Sequence, residues 1–227
     1  MTVNKVQSDI KDGALNNQVP EIEHRSFPVP EIRAIGEGQD IKISGYAALY
    51  DQYSEDLGGF IEIIQPGAFS NSLQNDDIRD LFNHDPSYIV GRTSSGTLKL
   101  TDDSVGLAFE ATPPDTQWAR DMITSIRRGD LNQMSFGFRT IKDDWKVVGD
   151  KIIRTLIEVK LFDVSQVTFP AYPQTSASVR SAFESFQSDR PATEPGQEPL
   201  PVEPQMEQVA RAHLGNLRRR LDLAEKS

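Results

Sequence analysis

The chain has 227 residues, with 24 lysine and arginine residues against 34 aspartate and glutamate residues, so its net charge is −10. This length accommodates one ordinary domain with extensions, or two small domains. The acidic balance argues against general nucleic-acid binding, because phosphate backbones need a basic protein face. Cysteine is absent, which excludes disulfides, thiolate zinc sites, iron–sulfur clusters and a cysteine nucleophile. No apolar run reaches the ~18–20 residues of a membrane span, and no secretory signal begins the chain. A soluble intracellular protein is therefore predicted.

Composition divides the chain into four segments. Residues 1–23 are polar and aperiodic, which predicts a flexible leader. Residues 24–182 hold nearly all the aromatic and β-branched side chains and predict the folded domain. Residues 183–204 are rich in proline and acidic residues, which is typical of a stiff extended linker. Apolar side chains in residues 205–227 recur at helical spacing, which predicts an amphipathic helix that needs a partner.

The folded segment is dominated by strand patterns. Alternation begins at residues 41–50, and four short strand candidates follow between turn residues: 59–64, 87–91, 96–100 and 105–111. Two segments have helical patterns. One begins at Pro66, where proline suits the first turn, and the other covers residues 115–130 with Gly129 at its end.

Two longer strands complete the domain. Residues 133–139 (QMSFGFR) place Met134, Phe136 and Phe138 on one face. In residues 152–170 the apolar positions change parity near Phe162, which predicts a bulge or a break between strands. We therefore expect a mostly β domain with flanking helices, of the α+β class. A barrel or a packed antiparallel sheet fits this pattern better than an alternating βαβ fold.

A few side chains could carry chemistry. His84 is the histidine that lies well inside the domain, before a turn predicted at Asp85–Pro86. It is a candidate general base. A turn histidine without a catalytic role would give the same sequence pattern. Ser135 lies in an aromatic-rich strand opposite three apolar side chains. It is a candidate nucleophile, or else a serine on the solvent side of an edge strand.

A third group would orient the histidine and stabilise its charged form, as a buried carboxylate does. Asp163 and Glu158 both qualify by position, whereas Asp85 is too close in sequence to face the His84 ring. The chain contains no H-E-x-x-H pattern, no P-loop and no G-x-G-x-x-G. We therefore predict neither a metal site nor a cofactor.

The order of the motifs carries a family resemblance. The segments 45–69, 81–116, MSFGFR at 134–139 and VKLFDVSQVTFPAYP at 159–173 resemble the prohead maturation proteases of tailed phages, which are relatives of the herpesvirus capsid assemblin protease. The resemblance covers roughly Ile41 to Val179. It implies a serine endopeptidase with an antiparallel β-barrel of the herpesvirus-protease type, flanked by helices.

The resemblance also implies roles for particular residues. The family histidine falls in the N-H-D segment, here His84, and the family serine falls in M-S-F-G-F, here Ser135. The third member precedes V-S in the last strand, here Asp163, where the herpesvirus relatives have a histidine; Glu158 stays an alternative. The herpesvirus arginine pair is missing, so Arg92, Arg139 or backbone N–H groups near Ser135 are left as candidates to support the oxyanion.

The implied setting is the immature capsid in the cytoplasm of the infected bacterial host. The implied substrates are the scaffold protein or the scaffolding segment of the major capsid protein, and the protease itself, cleaved through an acyl-enzyme without a cofactor. A homo-oligomer is expected, with residues 205–227 as a docking or self-association helix. The alternative is a non-enzymatic scaffold or capsid-assembly protein that acts through this helix. A metal-dependent hydrolase is the third alternative.

Overall fold

The computed structural model describes residues 22–27, 32–169 and 177–188. Most of the predicted leader, most of the predicted linker and the amphipathic helix at 205–227 lie outside these residues. Within them, no helix combines the length and the apolar character that a membrane span requires.

Ten strands and three α-helices make up the described residues. In chain order they are β1 Glu23–Phe27, β2 Ile32–Ile35, β3 Lys42–Leu49, β4 Ile61–Ile64, α1 Ser70–Asn75, β5 Arg79–Phe82, β6 Asp85–Arg92, β7 Leu98–Asp102, β8 Gly106–Ala111, α2 Gln117–Arg128, β9 Gln133–Val148, β10 Lys151–Val167 and α3 Ala177–Ser188. A single turn of 3₁₀-helix at Gly38–Asp40 precedes β3.

The strands form two sheets. The larger has the order β1-β9-β10-β5-β6, with β4 also paired to β10, and the smaller has the order β2-β3-β8-β7. Most pairs are antiparallel, but β10 pairs with β4 and with β5 in parallel. The predicted mostly β, α+β class is confirmed. The closed antiparallel barrel is not confirmed, because the described strands stay in two separate sheets that do not close.

The long hairpin of β9 and β10 is the centre of the larger sheet. Met134, Phe136 and Phe138 are fully buried on one face of β9, as the alternating pattern predicts. In β10 the register against β9 shifts between Leu161 and Asp163. The predicted change of parity is therefore a real irregularity in the ladder, and it decides which face Asp163 occupies.

The structure contains both predicted helices, but only one of them begins where the sequence predicts. α2 runs where it is predicted, buries an apolar face that includes Met122 and Ile126, and ends at Gly129 with φ 79°. α1 begins at Ser70 rather than at Pro66. The intervening residues form turns, and Gly67 has φ 88°, which a right-handed helix cannot include.

A small second apolar cluster holds α3 against the larger sheet. Val179 and Phe183 pack with Leu57, Phe60 and Ile152. α3 continues through Ser188 and so includes the first residues of the segment predicted as linker. Within that segment Phe183 belongs to the cluster and Phe186 packs against it, which explains why the helix extends there.

Candidate active site

One face of the larger sheet gathers the polar side chains of the candidate site. Directly opposed residues on neighbouring strands point to the same face of a sheet. Two cross-strand rows of β1, β9 and β10 therefore share a face: Ser26–Ser135–Ser165 and His24–Gly137–Asp163. The sheet thus brings Ser135 and Asp163 together from positions that are 28 residues apart in the sequence.

His84 is presented by a tight two-residue turn between β5 and β6. Asn83 has φ 55° and His84 has φ 57°, and such left-handed values are uncommon for residues other than glycine. The Asn83 side chain accepts hydrogen bonds from the backbone N–H and the hydroxyl of Thr168, both at 2.9 Å. These bonds anchor the turn to the chain just after β10. The sequence analysis predicts the turn at Asp85–Pro86. In the structure the turn lies two residues earlier, at Asn83–His84, and Asp85 and Pro86 both lie in β6.

Asp163 contacts the His84 ring. His84 Nδ1 lies 2.6 Å from Asp163 Oδ1, and Asp163 is only 7% exposed. Ser165 Oγ donates to the same Oδ1 at 2.7 Å and lies 3.2 Å from His84 Nδ1. The alternative acid, Glu158, accepts a bond from Asn71 at the surface. The structure thus brings Asp163, and not Glu158, to the predicted histidine.

A carboxylate bonded to Nδ1 leaves Nε2 as the nitrogen that can exchange a proton with a nucleophile. His84 Nε2 is buried and has no hydrogen-bond partner among the described residues. Ser135 is also fully buried, and its Oγ donates to the backbone carbonyl of Arg25 at 3.0 Å. Ser135 therefore shares the face with Asp163 but is hydrogen-bonded to β1 rather than to His84.

His24 is a site residue that the sequence analysis missed. Its ring centroid lies 4.1 Å from that of His84, edge to face. Burial and the neighbouring His84 lower the pKa of His24 below its ordinary value. Ligand atoms of His24, His84 and Asp163 lie within 4.8 Å of one another, a donor set that suits zinc. The absence of a metal site therefore stays a prediction.

The arginine candidates for oxyanion support lie elsewhere. Arg92 Nε donates to Asp77 at 2.8 Å on an exposed surface. The Arg139 guanidinium lies over the Phe162 ring at 5.9 Å. Because each arginine is engaged with these partners, backbone N–H groups near Ser135 are the remaining candidate for oxyanion support.

A buried acid lies behind the site. Asp80 on β5 is fully buried, and both of its oxygens accept bonds from Gln166 Nε2, at 3.0 and 3.1 Å. Burial raises the pKa of Asp80 well above its ordinary value, and the charge of Asp163 raises it further, against the lowering effect of the Gln166 bond. Asp80 is therefore expected to be protonated, and neutral, under conditions in which exposed acids are charged.

This burial predicts a stabilising substitution, Asp80→Asn. The folded state keeps a proton that the unfolded chain releases above about pH 4, so the free energy of unfolding falls as the pH rises from there. Asparagine removes this loss, and its amide can donate to Gln166 Oε1, which is buried without a partner. Urea unfolding should show a larger gain for the variant at about pH 8 than at about pH 5. Exposed Asp150→Asn is the control, and equal gains at both pH values would contradict the prediction.

Three comparisons relate the chain to known proteins. The profile of the family described as caudovirus prohead serine protease matches residues 28–189. The prohead protease of Enterobacteria phage HK97 is 30% identical over 177 residues, which cover 76% of this chain and 75% of that protein. The structure of the bacteriophage T4 capsid assembly protease aligns with a TM-score of 0.43 and 13% identity, over 67% of this chain and 99% of that one. The profile match includes the segments that carry His84, Ser135 and Asp163, and it begins immediately after β1.

Proposed function

Because the chain belongs to the caudovirus prohead serine protease family, we propose that it is the serine endopeptidase that matures a phage prohead. Its substrates are the scaffold protein or the scaffolding segment of the major capsid protein, cleaved inside the immature capsid in the host cytoplasm. The observation that supports this proposal best is the 2.6 Å contact between His84 Nδ1 and Asp163 Oδ1, with Ser135 on the adjacent strand of the same face.

The proposed chemistry assigns one role to each residue. Ser135 Oγ attacks the peptide carbonyl while His84 Nε2 takes its proton, and Asp163 stabilises the imidazolium that forms. Backbone N–H groups near Ser135 stabilise the oxyanion, an effect often worth ~10²–10³ in rate for each donor. His84 then protonates the leaving amine, and water releases the acyl group by the same steps in reverse. For the attack, Ser135 Oγ must exchange its bond to the Arg25 carbonyl for one to His84 Nε2.

Ser165 is the competing nucleophile, and its position argues against that role. Its Oγ lies on the Nδ1 side of His84, where Asp163 already occupies the nitrogen. Its bond to Asp163 Oδ1 is 2.7 Å. Ser165 is therefore a positioning residue that holds the carboxylate against the histidine.

Intact-mass spectrometry of co-expressed protease and capsid protein tests the proposal. Wild type should yield processed capsid protein, Ser135→Ala should leave it full length, and Ser165→Ala should process it more slowly. Exposed Ser104→Ala is the matched control and should behave as wild type. Unchanged processing by Ser135→Ala would overturn the assignment. Processing that stops with a chelator would instead favour a metal-dependent hydrolase built on His24, His84 and Asp163.

The scaffold alternative makes the opposite prediction. If the protein acts without catalysis through residues 205–227, deletion of that segment should stop capsid assembly while Ser135→Ala leaves both assembly and capsid-protein mass unchanged. Self-cleavage and a homo-oligomeric state belong to the same proposal. Loss of a trimmed form of the protease itself in Ser135→Ala, and sedimentation of that intact variant, test these two points.

A further inference from the structure

The strand β1 covers the part of β9 that carries Ser135. It is the edge strand of the larger sheet, and its antiparallel pairing runs from Glu23 opposite Phe138 to Phe27 opposite Met134. Without β1, the backbone N–H and C=O groups along this edge of β9 would be unpaired. Such an edge is a template for the addition of another extended strand.

β1 also engages the reactive groups of the site. The carbonyl oxygen of Arg25 accepts the hydrogen bond of Ser135 Oγ, and the His24 ring packs on the His84 ring. Gly137 makes room for this approach, because a Cβ there would lie 3.3 Å from His24 Cδ2. A single strand of five residues therefore covers the nucleophile, the base and the strand edge between them.

The arrangement resembles a bound peptide, but it is not reactive. In a productive complex the proton of Ser135 Oγ points to His84 Nε2 while Oγ approaches the carbonyl carbon. Here that proton is directed to the carbonyl oxygen of Arg25, and Nε2 has no partner among the described residues. β1 thus holds an uncleaved peptide against the nucleophile in a geometry that blocks attack.

We propose that the edge of β9 at residues 134–138 binds an extended peptide segment of the substrate by strand addition, and that β1 occupies this edge in cis and keeps the protease inactive until it leaves. The inference rests on the proposed function, because it takes Ser135 as the nucleophile. It adds the binding mode of the substrate and the regulation of the site. The family match begins at residue 28 and therefore does not include β1.

The buried charges allow β1 to leave. Glu23 and Arg25 are buried; Arg25 pairs with Glu62 at 2.9 Å, and Glu23 pairs with Arg154 at 2.9 Å. They carry opposite charges and also contact each other at 2.8 Å, so they leave together as a neutral pair.

The charges that remain still have partners. Arg154 keeps its bond to Glu62 at 2.9 Å and its bond to Asp143 at 2.7 Å. Departure of β1 therefore leaves no isolated charge in the interior, which is the costly outcome when one partner of a buried ion pair is removed. A strand whose departure left a buried charge without a partner would be held in place by that cost.

The test uses the full chain with the recognition sequence of a site-specific protease placed at residues 28–31. The chain is folded first and then cut, and Ser135 is labelled with a fluorophosphonate probe before and after the cut. If β1 is docked about 99 times out of 100, labelling should become ~100-fold faster once it is free to leave. A synthetic peptide of residues 22–27, added in trans, should slow the labelling again, and the same peptide with Arg25→Glu should not.

Each outcome decides a different point. Equal labelling before and after the cut, with circular dichroism unchanged, overturns the inference but leaves the proposed function in place. Loss of the fold after the cut also overturns the inference, since a strand that must leave for activity cannot be required for the fold. No labelling in either form, or labelling that persists in Ser135→Ala, counts against the proposed function itself. As a second variant, full-length Arg25→Glu places a third carboxylate beside Glu23 and Glu62 and should release β1 without a cut; unchanged labelling of this variant would likewise overturn the inference.

Discussion

Replacing Asp163 with asparagine is expected to lower kcat for peptide cleavage by ~10⁴-fold, as loss of the carboxylate does in serine protease triads. In the proposed mechanism the carboxylate accepts the Nδ1 proton of His84, and this bond leaves Nε2 to take the Ser135 proton. An amide can instead donate to Nδ1, which places the proton on Nε2 and removes the base. The fold should survive, because the asparagine oxygen can still accept the bond from Ser165 Oγ. Steady-state kinetics on a capsid-derived peptide, with melting curves for both proteins, checks this prediction.

Glu158→Gln is the matched control for Asp163→Asn. Glu158 is the acid that the sequence leaves as an alternative, and in the structure its carboxylate accepts a bond from Asn71 at the surface. Its kcat should stay within about twofold of wild type, since exposed surface contacts of this kind contribute little. If the two effects were exchanged, Glu158 would be the third member and the contact of Asp163 with His84 would be structural.

Period-two patterns predict the strands well where one face is fully apolar. β9 alternates between a buried apolar face and a polar one, and the shift between Leu161 and Asp163 is visible as a change of parity. β1 gives no such signal, because Glu23 and Arg25 are charged and charged residues are rarely buried. They are buried here only because Glu62 and Arg154, from β4 and β10, pair with them. The sequence does not show a strand whose burial depends on partners so distant in the chain.

The sequence likewise identifies some residues of the candidate site and misses others. Motif order points to His84, Ser135 and Asp163, because each lies in its own recognisable segment. Ser165 could have been found, since it is two residues after Asp163 in a strand and therefore shares its face. His24 could not, because its place depends on the pairing of β1 with a strand more than 100 residues away. The parallel pairing of β4 and β5 with β10 is likewise a long-range choice that local alternation does not specify.

Gly137→Ala is expected to inactivate the protease by displacing Asp163. A Cβ at this position would lie 2.2 Å from Asp163 Oδ2 and 3.2 Å from its Cγ, far inside a normal carbon–oxygen contact. The carboxylate must therefore move, and its 2.6 Å contact with His84 is lost. We expect kcat to fall by ~10³–10⁴-fold, close to the effect of removing the carboxylate, with a loss of stability of ~1–3 kcal/mol from overpacking.

Gly91→Ala separates the catalytic effect from the loss of stability. Gly91 lies in β6 of the larger sheet, and a Cβ there would meet the backbone carbonyl oxygen of Thr97 at 2.7 Å. The crowding therefore lies outside the site, at the residue that precedes β7 of the smaller sheet. Gly91→Ala should lower the melting temperature without lowering kcat of the folded enzyme, and Gly137→Ala should lower both. A Gly137→Ala enzyme with kcat near wild type would show that the Asp163 contact is dispensable. The clash with Asp163 remains when β1 is absent, so Gly137→Ala should stay inactive even after β1 has been cut free, whereas the cut is expected to activate the wild type.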